Sequence, residues 1–240
     1  MRKLSAVALL VLFSFSAFSQ SAKEAKKKEI LSRSGDHLMF QLSYDSWLGA
    51  PDSVKSHIKG FSRGVNVYVM YDQKFKGDPR FSIAGGIGVG TSSIFFKKMT
   101  VDIQSKESKL PFIETDSADN YKKFKIATAF LEVPIEFRFS SNPAVPNKAV
   151  KVALGVKLGT MLNAHTKGKT LRDANGKTIS NAIDKVSTKS YFNTTRIAAT
   201  ARIGYGNFSL FGSYNLSAMF KSGVAADVKL LQVGLTISGL

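Results

Sequence analysis

Three histidines, His37, His57 and His165, are the first residues to test for acid–base or metal chemistry. They are isolated from one another, and no metal-ligand spacing links them. The run Gly85-Gly86-Ile87-Gly88-Val89-Gly90 looks like a phosphate-cradling loop. It lies inside an alternating pattern with no helix after it, so the geometry such a loop needs is missing. His57 beside Ser56, and His165, fall in segments read as surface loops. A His with a Ser at the rim of a small barrel would suit a lipid-modifying enzyme, which stands as the alternative to a non-enzymatic role. No cofactor is expected. Cys is absent, which leaves neither an anchored cysteine after a leader nor a disulfide.

The remaining candidates are charges. Glu132, Glu136, Arg138, Lys151, Lys157, Arg196 and Arg202 stand singly among Gly, Ala and Ser on one face of alternating segments. Isolated charges on a small-residue face suit the crowded inside of a narrow barrel, where each needs a partner. A symmetric turn centred on Ser140–Lys148 sets Glu132 opposite Lys157, places Glu136 diagonal to Lys151 or beside Ala153, and brings Arg138 near Lys151.

The elements that carry these charges are strands. The clearest is the end of the chain, Leu230–Leu240. There Leu231, Val233, Leu235 and Ile237 alternate with Gln232, Gly234, Thr236 and Ser238. About ten residues is the length of a tilted transmembrane strand. Similar segments run through 37–48, 61–71, 80–90, 124–139, 150–160, 194–205 and 208–216, which makes eight. Gly206-Asn207 reads as a two-residue hairpin turn, across which Tyr205 faces Phe208 and Ile203 faces Leu210. Connections after the second, fourth and sixth strands are short. Those after the first, third and fifth are longer, notably Thr91–Lys123 and Leu162–Asn193. That alternation is the pattern of short periplasmic turns and long outer loops. Asn175-Gly176 signals a tight turn inside the last of these loops.

Alternation alone would also suit a soluble barrel with an apolar inside. The face opposite the aliphatics decides against it, because Gly, Ala and Ser fit a narrow interior better than a wetted exterior. The expected fold class is therefore all-β: an eight-stranded antiparallel up-and-down transmembrane β-barrel with long outer loops. A filled eight-stranded interior argues against a porin. Met1–Ser19 has the layout of a signal peptide cleaved before Gln20, with Arg2 and Lys3 ahead of an apolar stretch. Residues 20–36 read as a polar periplasmic lead-in, and 37–240 as the barrel domain in the outer membrane.

The net charge of +17 is scattered and matches no nucleic-acid-binding motif. Outer-membrane lipids and anionic lipopolysaccharide are the better partners. Lys97, Lys98, Lys106, Lys109, Lys122 and Lys123 concentrate in one predicted outer loop and form the candidate contact patch.

Three stretches carry a family likeness: Ala17–Gln20 (Ala-Phe-Ser-Gln), the strand Phe130–Phe139, and the Gly-alternating strand Val152–Gly159. With them the chain resembles the outer-membrane β-barrel family of Bacteroidota that includes PorT-like proteins. The resemblance implies an integral outer-membrane protein. It also raises an accessory role in a secretion system, as in PorT, with a protein partner at the surface. The final residue is Leu240, where many such barrels end on an aromatic.

Overall fold

The computed structural model describes residues 38–115 and 119–239. The expected leader and lead-in lie outside the described residues. The strands are β1 (Leu38–Leu48), β2 (Arg63–Lys74), β3 (Phe81–Phe96), β4 (Met99–Val101), β5 (Phe112–Glu114) and β6 (Asn120–Ser140). They continue as β7 (Val150–Arg172), β8 (Thr178–Ser187), β9 (Thr195–Tyr205), β10 (Phe208–Asn215) and β11 (Lys229–Ser238). One helical turn, α1 (Asp52–Lys55), follows β1.

Eight of these strands close a barrel. The wall runs β6-β3-β2-β1-β11-β10-β9-β7, and β6 pairs with β7 to complete it. All pairings are antiparallel, and β11 closes against β1 with Leu42 opposite Leu235 and Tyr44 opposite Val233. Closure leaves no free edge in the wall, which is what a membrane demands of a sheet. The aliphatic face points outward: Val69, Ile87, Val133, Leu154, Ile203 and Leu235 are all exposed. Tyr71, Phe137, Tyr205 and Phe208 add exposed aromatics at the end where the short turns lie. Such residues form the interfacial girdle of an outer-membrane barrel. The hairpin β9–β10 has the expected register, with Tyr205 opposite Phe208 and Ile203 opposite Leu210.

Two segments read as loops contain long strand extensions. β3 continues to Phe96, β6 begins at Asn120, and β7 runs on to Arg172 before turning into β8. The physical reason is a reversal of polarity. Within the belt the apolar residues point outward. Beyond it Ile94, Phe96, Phe124 and Ile126 point inward and are buried. Apart from Phe95, their outward neighbours, Ser93, Lys123 and Lys125 among them, are polar, so the segments look like loops when only one face is followed.

The inward apolar residues build a cap over the outer mouth. Trp47 lies buried in this cap. Its ring meets Phe96 and Phe220 edge-on, each at 5.6 Å. Met99, Val101 and Leu110 come from the β4–β5 hairpin, and Phe192 and Phe220 from the last two outer connections. Tyr191 ties the cap together by donating to the carbonyls of Ser105 and Glu107, both at 2.8 Å.

A bulge divides belt from cap. Ala129 faces Asn163 while Phe130 faces Met161, which leaves Leu162 unpaired in β7. Below it odd-numbered residues of β7 face inward, as Ala153 and Lys157 do; above it even-numbered ones do, as Ala164 and Thr166 show.

Candidate functional site

The hairpin β6–β7 places the interior charges, with a register two residues from the expected one. Glu132 faces Gly159 and Pro134 faces Lys157. The turn is the cause. Ser140 stays in β6 opposite Lys151, and Ala149 stays outside β7. A 3-10 turn at Pro146–Lys148 takes up the difference. Ser141 then locks the base, accepting from the Val150 N–H at 2.9 Å and donating its own N–H to the Val150 carbonyl at 3.0 Å.

Two clusters result. In the upper one Glu132, with no solvent exposure, receives Arg196 Nη1 at 2.9 Å and Lys157 Nζ at 3.8 Å. The Tyr68 hydroxyl also donates to its carboxylate. Lys157 therefore reaches Glu132 diagonally rather than from directly opposite. In the lower one Glu136 faces Gly155, not Lys151 or Ala153. Its Oε2 accepts from Arg138 Nε at 2.8 Å and Arg202 Nη2 at 3.0 Å. Arg138 also lies 3.8 Å from Asp72. Lys151 is half-buried at the mouth on the short-turn side, lining a cavity shared with Arg138 and Arg202.

Tyr68, Asp72 and Asp45 belong to this interior and were not singled out by sequence. Alternation placed Tyr68 and Asp45 on the small-residue face, which was the available signal; Asp72 falls just past the stretch read as strand and is in β2 because that strand runs on to Lys74. Asp45 accepts from the Ser43 hydroxyl and from Gln232 Nε2 at 3.2 Å. Gln41 donates to Thr236 at 3.0 Å and accepts from Asn66 at 3.2 Å. The glycine run finds its use here. A Cβ on Gly88 would strike the Tyr68 ring at 2.6 Å, and one on Gly90 would meet the Glu132 carboxylate at 2.5 Å. The run is the hollow that admits Tyr68 and Glu132.

Outside the barrel the named lysines are all exposed. Lys97 and Lys98 form the turn into β4, Lys106 and Lys109 lie between β4 and β5, and Lys122 and Lys123 are in β6 rather than a loop. His57 and His165 are not brought together. His57 Nδ1 lies 2.7 Å from the Ser53 carbonyl and 3.2 Å from Ser56 Oγ. Only a protonated Nδ1 can bond a carbonyl, so that nitrogen has no lone pair for the Ser56 hydroxyl. Above the belt, Tyr121 donates to Asp184 at 2.6 Å and so fastens β6 to β8. Burial, and then Asp184, push the Tyr121 phenol up to about 12.

A closed eight-stranded wall, an apolar outer belt and a polar, filled interior define a transmembrane barrel of the outer-membrane type. The chain belongs to the outer membrane protein beta-barrel domain family, whose model matches residues 18–221. It is an integral outer-membrane protein. None of the curated proteins matches it. Among solved structures, the attachment invasion locus protein Ail of Yersinia pestis is 15% identical, covering 86% of this chain and 98% of that one with a TM-score of 0.38. Ail in complex with the heparin analogue sucrose octasulfate is 14% identical over the same shares, with a TM-score of 0.36. The translocator domain of the autotransporter NalP from Neisseria meningitidis is 14% identical, covering 94% of this chain and 96% of that one, with a TM-score of 0.22. At those scores the likenesses say nothing of this chain's ligands.

Proposed function

We propose that the protein is a non-enzymatic surface barrel that engages anionic lipopolysaccharide through its basic outer end. The observation that carries the reading is the exposure of Lys97, Lys98, Lys106, Lys109, Lys122 and Lys123 above a barrel that is filled inside and capped. A filled interior offers solutes no path, which leaves the outer surface to act. The rim-enzyme alternative loses one pairing, since His57 Nδ1 is committed to the Ser53 carbonyl and cannot act as base toward Ser56. A role beside a secretion system, as in PorT, rests on resemblance. Unchanged secreted proteins after deletion of the gene would remove it. Export through a leader cleaved before Gln20 belongs to the same proposal, and the intact mass of the mature chain tests it.

The test is titration of the refolded barrel with lipopolysaccharide at rising salt. Affinity should fall steeply with salt and fall again when the lipopolysaccharide is dephosphorylated. Salt-independent binding, or none, overturns the reading. Trypsin added to intact cells should cut near Lys106 or Lys109, or in the turn 173–177. Cleavage confined to 75–80 or 141–149 would mean the opposite orientation.

A further inference from the structure

Above the belt, the outward face of four strands carries a row of cations in strict register. Phe95 of β3 lies beside Lys125 of β6, Lys125 beside Lys167 of β7, and Lys167 beside Lys185 of β8. Directly opposed residues on one face sit about 5 Å apart, where like charges destabilise a sheet. Arg63 of β2 joins from the side, opposite Ser93. The Phe95 ring gathers two of the cations, with Arg63 Cζ at 5.4 Å and Lys125 Nζ at 5.5 Å from its centroid. Lys125 Nζ is further held by Ser93 Oγ at 3.1 Å.

Among the described residues no carboxylate balances this row. Asp184, next to Lys185 in sequence, pairs with Gly168 on the opposite face and is taken by Tyr121. The charges that act on Lys125 are Lys167, Arg63 and Lys185, which follow burial in holding its ammonium below the ordinary value. The row also has a definite height. Arg63 is two residues beyond Val65, an exposed aliphatic of the belt, which is about 7 Å along the strand. The cations therefore face the level at which the headgroups of the outer leaflet begin.

We propose that Arg63, Lys125, Lys167 and Lys185 form a binding site for a phosphate group of lipid A in the outer leaflet. The site deepens the lipopolysaccharide reading above and rests on it. It is distinct from the exposed lysines of the β4–β5 hairpin. A phosphate supplies the missing counter-charge, and its chemistry suits the Arg63 fork with ammonium groups beside it.

The test compares three refolded barrels: wild type, Lys125→Gln/Lys167→Gln, and Lys106→Gln/Lys109→Gln. Each is titrated with bisphosphorylated lipid A and with the same lipid fully dephosphorylated, in detergent micelles. At about fivefold per cation, the first double variant should lose roughly 25-fold in affinity for the phosphorylated lipid. It should match wild type on the dephosphorylated lipid. The hairpin variant should stay within about twofold of wild type. An equal loss on both lipids overturns the site. If the hairpin variant carries the loss, the site is wrong while the lipopolysaccharide reading stands. If neither variant nor phosphate removal matters, both fall. Displacement of lipid A by an equal concentration of inorganic phosphate would mark a soluble-anion site and overturn the lipid assignment. Heat-modifiable mobility on gels verifies folding. Should the double variant fail it, Lys167→Gln and Lys185→Gln alone repeat the comparison.

Discussion

Glu132 is sealed from solvent, with Arg196, Lys157 and Tyr68 all directed at its carboxylate. Removing it strands two buried cations, a change that costs about 3–5 kcal/mol. Glu132→Ala should therefore lower the urea midpoint of the barrel in lipid vesicles by a corresponding amount. The distances, 2.9 Å against 3.8 Å, order the partners. In double-mutant cycles Arg196→Ala should couple to Glu132→Ala more strongly than Lys157→Ala does, and the reverse order would contradict this geometry. His165 gives a pH prediction above the belt. Burial first, then Lys185, Lys125 and Lys167, hold its imidazole below the ordinary value of 6.5. The folded state thus binds fewer protons than the unfolded one. Its contribution to stability is present above pH 6.5 and is lost as pH falls from there through the folded value. An NMR titration of the imidazole should give a midpoint below 6.5 in lipid-free micelles, and phosphorylated lipid A should move it upward. A midpoint that ignores the lipid would separate His165 from the phosphate site.

The outer hairpin β7–β8 hangs from the wall by its pairing with β7 and by the bond from Tyr121 to Asp184. Tyr121→Phe should speed hydrogen exchange in Thr178–Ser187 while shifting overall stability by no more than about 0.5 kcal/mol. Unchanged exchange there would show that the backbone ladder alone holds β8. This hairpin also shows where sequence reading stops. Residues 150–160 were legible because Val152, Leu154, Val156 and Leu158 alternate with small residues against lipid. Residues 163–172 were not, although they continue the same strand, because lysines occupy the outward positions and the inward ones, Ala164, Thr166 and Gly168, are small or polar. Sequence likewise set Glu132, Lys157, Arg196 and Arg202 on one face, since alternation reports which side a residue takes. It could not report that Glu132 faces Gly159. That depends on how a nine-residue turn, 141–149, divides its residues between bend and strand. The lysine row was hidden for a related reason: Lys167 and Lys185 fall in a stretch read as a loop, so nothing in the sequence set them beside Lys125.

The whole molecule has two interiors of opposite character. The belt encloses ion pairs, and the outer end encloses aromatic and aliphatic side chains. Trp47→Ala empties the centre of the cap, a change that costs about 3–5 kcal/mol where the site cannot collapse. The loss should appear as faster proteolysis within 97–111 and 216–228, with heat-modifiable mobility retained. Loss of that mobility would mean that cap and barrel are one cooperative unit. In planar bilayers the wild-type protein should show no steady open channel, and a sustained conductance would contradict a filled lumen. Leu162 sits where the two interiors meet, and it behaves like an inserted letter in a message read two at a time. Below it the odd letters are private and the even ones public; above it the assignment is exchanged. Deleting that one residue would shift the frame of everything from Asn163 to Arg172. Lys167 and Lys169 would turn into the greasy vault, and Ala164 and Thr166 would turn out toward lipid. Lengthening this strand by two residues preserves the sense of the text, whereas changing it by one garbles it. The outer half of this protein can therefore vary in its letters far more freely than in their count.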